Sequence, residues 1–328
     1  MAAADARAAA IDAFARRHRF RALEAVPWLL ALAAYGVFPG YLPLGAQILA
    51  TILFVLSADL VLGYAGIVTL GHAAFFGTGA YTAGLLAANG WGEPLSGLVA
   101  AALIAGLVGF LSGLIILRTT GLALLMQTLV VATTLYEAAN KAGRWTGGDD
   151  GLSGMVVWPI FGVFRFDMFG RAAYTYSLAV LFLGWLLARQ IVHSPFGRSL
   201  TGARENTARM HAIGAPVAQR RLIIYTISAG LAGVSGALIA QTTSFVGLTS
   251  LSLERSGNAL IMLIIGGVGR LYGAFIGVPL FMIAQDRFSK ADPVYWYFWL
   301  GLLMVAVVIF ARGGVLGIFE RLWKWPGK

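Results

Sequence analysis

The carboxylate of Asp59 is the first group in this sequence that could take part in chemistry, because it lies inside the apolar run 44–64. An ionisable side chain is costly in such surroundings, so it either serves a function or has a specific partner. In a functional interpretation, Asp59 lies on a path for a polar solute. In a structural interpretation, it is neutral and bonds to Ser57 or to backbone at a helix break.

A glycine-rich stretch runs from Ala58 to Tyr81, with polar residues between the glycines. Gly permits irregular backbone, which at membrane depth is tolerated only against protein or a water-filled cavity. Spans interrupted in this way indicate a translocation site, but a tightly packed helix pair would use the same small residues. Both interpretations stay open. The candidate path residues are Asp59, Gly63, Tyr64, Gly66, Thr69, Gly71, His72 and Thr78.

The segment 146–151 reads Thr-Gly-Gly-Asp-Asp-Gly, a composition typical of turns. It predicts an external loop that either faces a partner delivering substrate or is only a tight connector. Two adjacent carboxylates without the rest of a ligand loop are a weak signal for Ca²⁺. The candidate loop residues are Thr146, Gly147, Gly148, Asp149, Asp150 and Gly151.

The segment 194–214 is amphipathic and is bracketed by Pro195 and Gly214. Its mixture of apolar and charged residues is typical of a helix in a partner's groove, and also of a helix on anionic lipid. Its small residues and its internal acid favour a protein partner. The candidate contact residues are Gly197, Arg198, Ala203, Arg204, Glu205, Asn206 and Gly214.

A second glycine cluster, Gly266 to Gly269, interrupts the apolar run 256–286, which follows a Ser/Thr-rich break. No strand precedes its Gly-x-Gly, so a nucleotide-binding interpretation is negligible. Paired glycine-broken regions in the two parts of a chain are expected where two halves meet at a central site.

Several kinds of catalytic chemistry have no support in this sequence. There is no Cys, and the four His are scattered without metal-ligand spacing. No Walker A motif, no Gly-x-Ser-x-Gly motif and no HExxH motif occurs. We therefore expect no enzyme, no metal site and no cofactor in this chain, so ATP and Mg²⁺ would be bound by another chain.

Composition indicates an integral membrane protein. Of the 328 residues 59% are hydrophobic and 12% are charged, about half the usual share of charged residues. The mean hydropathy is +0.80. Apolar segments of membrane-spanning length predict an all-α polytopic fold. They cover 26–41, 44–64, 70–88, 95–117, 120–140, 174–188, 222–242, the broken run 256–286, and 294–311.

The placement of basic residues predicts the topology. The net charge of +10 is concentrated in the two ends of the chain and in 189–221, whereas 141–172 is balanced. The positive-inside rule then makes the first three cytoplasmic and 141–172 periplasmic, and it argues against a nucleic-acid partner. With both termini inside, the number of crossings is even; we predict ten, or eight if two segments are re-entrant. The predicted regions are a cytoplasmic segment 1–25, a permease domain 26–312 and a cytoplasmic tail 313–328.

Taken in this order, the motifs resemble the LivM-type permeases of bacterial branched-chain amino acid ABC transporters. The resemblance covers most of the chain, from about Leu44 to Arg312. It rests on the stretch 63–81, the loop 146–151, the segment 196–214 and the glycine cluster 266–277. Two positions depart from the family pattern, since Ile67 stands where a polar residue is frequent and Asp59 where Asn is frequent.

The resemblance implies a permease subunit of an ATP-driven importer in the bacterial inner membrane. A periplasmic binding protein would deliver branched-chain amino acids or a related small polar solute. A LivH-like second permease and two LivG/LivF-like ATPase subunits would complete the complex, with the segment 194–214 in an ATPase groove. Related permeases import urea or aromatic acids, so the departures leave the substrate open. An ion-coupled secondary transporter is an alternative in which Asp59 would carry the coupling ion.

Overall fold

The computed structural model describes residues 22–159 and 169–310, together with positions 162, 167, 314, 315 and 317. The predicted N-terminal segment is therefore described only from Ala22. Most of the predicted tail 313–328 and part of the predicted loop 141–172 lie outside the described residues.

The described ranges consist of α-helices joined by short turns, and they contain no β-strand. Single 3₁₀ turns occur at Ala22–Ala25, Pro39–Tyr41, Gly148–Asp150 and Leu248–Leu251. The helices are α1 (Val26–Val37), α2 (Leu42–Asp59), α3 (His72–Ala88), α4 (Pro94–Ile116), α5 (Leu122–Lys141), α6 (Gly143–Thr146), α7 (Arg171–His193), α8 (Pro195–Glu205), α9 (Thr207–Ala212), α10 (Val217–Thr243), α11 (Leu253–Gly266), α12 (Gly273–Ala291) and α13 (Trp296–Phe310).

Among the described residues, five helical stretches are long and apolar enough to cross a membrane. The helices α1 and α13 are apolar but shorter. This arrangement confirms an all-helical polytopic membrane protein, whereas the number of crossings and the location of the two termini stay predictions. The five stretches are Pro39–Tyr64, Pro94–Ile116, Leu122–Lys141, Arg171–His193 and Val217–Thr243.

The core forms where α10 packs against α2, α3 and α4. Glycines permit these contacts, since a Cβ on Gly236 of α10 would meet the carbonyl oxygen of Phe76 on α3. On α4, Gly109 and Gly113 lie one turn apart and face Ala229 and Tyr225 of α10. Such close approach through small residues is the usual way in which membrane helices associate. At the centre of the fold, these glycines therefore let α10 approach the backbone of α3, and let buried side chains of α10 pack against α4.

Two segments that the sequence predicted to be continuous are divided in the structure. The first apolar segment was expected to run to Tyr41, but α1 ends at Val37 and Pro39 begins a separate 3₁₀ turn. The amphipathic segment 194–214 is divided into α8 and α9. The division occurs because Asn206 has extended backbone and its side chain accepts a hydrogen bond from the Arg209 N–H at 2.9 Å, which caps α9.

Candidate functional site

The first glycine-rich stretch breaks the backbone at the end of α2. Residues Leu60–Tyr64 continue α2 as a π-helical turn. Beyond it the chain is irregular until α3 begins at His72, and Gly66 adopts a left-handed conformation with φ +69°. π-Helical turns within α-helices are frequent at functional sites. The predicted break is therefore present, and it spans the interval between α2 and α3.

Asp59 joins this break to the second glycine cluster. Its carboxylate oxygen Oδ1 accepts a hydrogen bond from the Gly269 N–H at 2.7 Å, and the residue is only 1% exposed. Gly269 lies in the turn between α11 and α12, 210 residues further along the chain. The other carboxylate oxygen, Oδ2, has no hydrogen-bond partner within the described part of the chain. Asp59 thus bonds to backbone at a helix break, namely the break between α11 and α12.

Arg204 brings α8 to the same place. Its guanidinium donates a hydrogen bond to the carbonyl oxygen of Gly63, and its side chain passes beside Gly66. A Cβ on Gly269 would lie 3.2 Å from the Arg204 Nη1 atom. The segment predicted to contact a partner therefore has one arginine that turns inward, onto both glycine-broken regions.

The remaining predicted path residues are held by contacts within the protein. His72 is 3% exposed, and its Nε2 lies 2.9 Å from the hydroxyl of Ser57. That hydroxyl donates to the Phe54 carbonyl oxygen, so His72 is the donor to Ser57. Thr69 Oγ1 accepts from the Gly71 N–H at 3.1 Å, and the Thr78 hydroxyl donates to the carbonyl oxygen of Ala74 at 2.7 Å.

One of the predicted path residues, Tyr64, borders a cavity. Tyr64 lines a cavity of about 280 Å³ that is bordered by Glu24, Arg189 and Tyr272. Most of the other path residues pack against protein, as Gly71 does against the Thr128 backbone, whereas Gly66 is exposed. In this conformation the irregular backbone of 60–71 is covered mainly by protein, and whether these residues line a solute path stays a prediction.

The predicted external loop folds back on the helices beside it. The Thr146 hydroxyl donates to the Ala139 carbonyl oxygen at 2.6 Å, and Gly147, Gly148 and Gly151 all have positive φ. Leu152 pairs with Val246 through two backbone hydrogen bonds, which fixes the loop against the end of α10.

The tip of this loop is open to solvent. Asp149 and Asp150 are exposed, and the Trp145 side chain beside them is 69% exposed. Where the structure describes the chain, no group of His, Asp and Glu could hold a metal ion. The described part of this loop therefore presents acidic and aromatic side chains to solvent, and whether it contacts a partner stays a prediction.

The amphipathic segment separates into inward and outward residues. Gly197 packs on the carbonyl oxygens of Ile191 and Val192, and Ala203 is buried. The remaining candidate residues are on the surface, and Gly214 ends α9 with φ +76° and open space around it. The exposed members are Arg198, Arg204, Glu205, Asn206 and Gly214.

A further polar group was missed by the sequence analysis. Glu254 and Arg255, at the start of α11, line a cavity of about 400 Å³ between α2, α11, α12 and α13. The feature of the sequence that could have indicated this group is an acid next to a base, directly before the apolar run 256–286. We interpreted this region only as a Ser/Thr-rich break, because no local pattern shows which helices face it.

Comparison with known proteins identifies the family of this chain. The family described as the permease component of the branched-chain amino acid transport system matches residues 42–308. The LivM permease of Salmonella typhimurium is 27% identical over 88% of this chain and 74% of its own length. That of Escherichia coli is 26% identical over 88% and 73%.

A second group of relatives has a different name. The autoinducer 2 import permease LsrC of Enterobacter sp. strain 638 is 30% identical over 87% of this chain and 85% of its own length. No solved structure matches. The family match confirms the resemblance drawn from the sequence motifs, and it covers both glycine-broken regions and α8. The chain is therefore a multi-pass membrane protein that belongs to the family of branched-chain amino acid transport permease components.

Proposed function

We propose that this chain is a permease subunit of an ABC importer in the bacterial inner membrane. Family membership supports the class, and the LivM relatives support branched-chain amino acids as the cargo. The LsrC relatives are named for autoinducer 2, a different solute. Separate ATPase subunits would hydrolyse ATP, a LivH-like permease would pair with this chain, and a periplasmic binding protein would deliver the solute.

The bond from Arg204 to the Gly63 carbonyl carries this proposal. It connects α8, whose Glu205 and Asn206 face outward, to the irregular backbone at the end of α2. Through Asp59 and Gly269, that backbone is bonded to the break between α11 and α12. A displacement of α8 by a bound motor subunit would therefore act on both glycine-broken regions at once.

The chemistry of the joint suits a moving part. Arginine has several donors in one planar group, so it can hold a backbone carbonyl while its own helix shifts. Glycine gives the two breaks the backbone freedom that alternative conformations need. The ATPase subunits would bind the exposed side of α8 and α9. Their conformational change would be transmitted to the membrane helices through Arg204.

Reconstitution of the complete complex in proteoliposomes tests the proposal. We expect vanadate-sensitive uptake of leucine, isoleucine or valine that requires both ATP and the cognate binding protein. The same vesicles should be offered autoinducer 2, urea and an aromatic acid as competing cargo classes. Uptake by this chain alone, driven by a proton or sodium gradient, would overturn the ABC assignment in favour of a secondary transporter.

A further inference from the structure

The cavity of about 400 Å³ has the size of a small-molecule site, since such pockets have about 300–1,000 Å³. It lies between α2, α11, α12 and α13, and its wall combines charged, polar and apolar side chains. The residues that matter for its chemistry are Glu254, Arg255, Phe54, Met262, Phe281 and Met282.

Two opposite charges face this cavity from adjacent positions. The Arg255 guanidinium carbon lies 4.5 Å from the centroid of the Phe76 ring, which holds the cation from α3. Within residues 22–159 and 169–310, that guanidinium makes no direct hydrogen bond or ion pair, and the neighbouring Glu254 carboxylate is the opposite charge that acts on it. The Glu254 Oε1 atom accepts a hydrogen bond from the Tyr297 hydroxyl at 2.9 Å, and its carboxylate has a second oxygen for another donor.

The rest of the wall is apolar and adaptable. Phe54 and Phe281 are buried, and the unbranched side chains of Met262 and Met282 can adjust to ligands of different shape. A ligand that satisfies the whole cavity would have an anionic group, a cationic group and an aliphatic body. A neutral, highly hydroxylated solute would bring no charge to pair with either group.

The position of the cavity fits an early stage of import. Its α2 residues, Thr51 and Phe54, come eight and five positions before Asp59. At 1.5 Å per helical residue, Thr51 is about 12 Å along α2 from Asp59, and the contact with α8 at Gly63 lies further on. The predicted orientation, with α8 on the cytoplasmic side, places the cavity towards the periplasm. Tyr297 on α13 lies at its rim and bonds to Glu254.

We propose that this cavity is a transit site for a free zwitterionic α-amino acid, an inference that rests on the proposed function and names the substrate class. Arg255 binds the carboxylate, Glu254 binds the ammonium group, and Met262 and Phe281 contact the aliphatic side chain. The Tyr297–Glu254 bond must open, or share the carboxylate, when the ammonium group arrives. The charge pair thus selects an amino acid over a sugar-like cargo.

Photo-crosslinking with a diazirine analogue of leucine tests this site directly. In the purified complex, without binding protein, we expect crosslinked peptides from residues 249–262 and 281–297. Leucine should protect against crosslinking, and leucinamide, which lacks the carboxylate, should protect about tenfold less well, as loss of a charge-assisted hydrogen bond implies. Arg255→Gln should abolish this preference for leucine over leucinamide, and Arg255→Lys should restore part of it.

Arg287→Gln is the matched control, since Arg287 is exposed on α12 and does not line the cavity. Binding-protein-dependent leucine uptake should fall about tenfold in Glu254→Gln and stay at the wild-type level in Arg287→Gln. If the wild type imports leucine but crosslinks elsewhere, or if both cavity variants behave like the wild type, the transit site is wrong and the proposed function stands. If the wild type imports only neutral solutes, the amino acid assignment fails with it. Thermal unfolding of each variant distinguishes loss of the site from loss of folding.

Discussion

The side chain of Asp59 has a structural role at a position where the sequence indicated a possible role in transport. Its Oδ1 atom accepts a hydrogen bond from the Gly269 N–H. Without this acceptor, a partly buried donor at a helix break would be unpaired. An acceptor oxygen is enough for this contact. The contact with Gly269 therefore requires the shape and the oxygen of Asp59, but not its charge.

Substitution of Asp59 separates these two properties. Asp59→Asn keeps an acceptor oxygen in place, so vanadate-sensitive uptake should stay close to the wild-type level. Asp59→Ala leaves the Gly269 N–H without a partner, and the free energy of unfolding should fall by about 1–3 kcal/mol. Uptake in proteoliposomes and thermal unfolding of the purified protein measure the two effects.

The exposed Glu137 on α5 provides the control, and Glu137→Gln should change neither measurement. If Asp59→Asn folds normally but loses uptake, the charge itself is required. A simultaneous loss of proton or sodium dependence would then favour ion-coupled transport.

Gly63 tests the close approach of the two breaks. A Cβ at this position would meet the Asp59 carboxylate and the backbone of Gly269. Gly63→Ala should therefore destabilise the protein by about 1–3 kcal/mol, the usual range for overpacking. Gly301 on α13 has open space around it, so Gly301→Ala should leave the unfolding temperature unchanged. Equal unfolding temperatures for the two variants would contradict the packing described here.

At the scale of the elements, periodic and apolar patterns predicted most helices within a few residues. The segment 95–117 corresponds to α4, Pro94–Ile116, because a long apolar run between turn residues has few alternatives in a membrane. The amphipathic segment was predicted to be helical, but its division at Asn206 was not. Asn206 caps a second helix, and the prediction of a single docking helix did not take this local signal into account.

Adjacent residues on α8 should have different roles, which gives a sharper test of coupling. Arg204→Ala removes the bond to the Gly63 carbonyl but leaves the exposed side chains of Glu205 and Asn206 in place, so ATPase subunits should still associate and hydrolyse ATP without uptake. Glu205 is exposed, so Glu205→Ala should weaken association itself. Co-purification, ATPase rate and uptake, measured on the same preparations, separate the two defects.

Arg118→Ala is the control for this pair, because Arg118 is exposed just after α4. If Arg204→Ala loses ATPase subunits as Glu205→Ala does, Arg204 belongs to the docking surface. If neither variant alters association or uptake, α8 does not couple the motor to the membrane.

At the scale of the whole molecule, the sequence indicated membrane residence and helical class, because these depend on summed composition, whereas the orientation drawn from the charges stays a prediction. It could not predict that Asp59 meets Gly269, since their contact spans 210 residues and follows from the packing of several helices. The cavity at Glu254 and Arg255 was missed for the same reason. Its wall comes from four helices, and the two charges stand out only when those helices surround them.

The predicted orientation can be tested across the molecule, because the natural chain has no Cys and every introduced thiol is unique. Asp150→Cys, in the loop after α5, should react with a membrane-impermeant maleimide in intact spheroplasts. His211→Cys, on α9, should react only in inside-out vesicles. Both native residues are exposed, whereas Ser228 is fully buried in α10, and Ser228→Cys should stay unlabelled in both preparations. Labelling of His211→Cys from outside would reverse the orientation, and with it the assignment of α8 to the motor and of the Arg255 cavity to the periplasmic side.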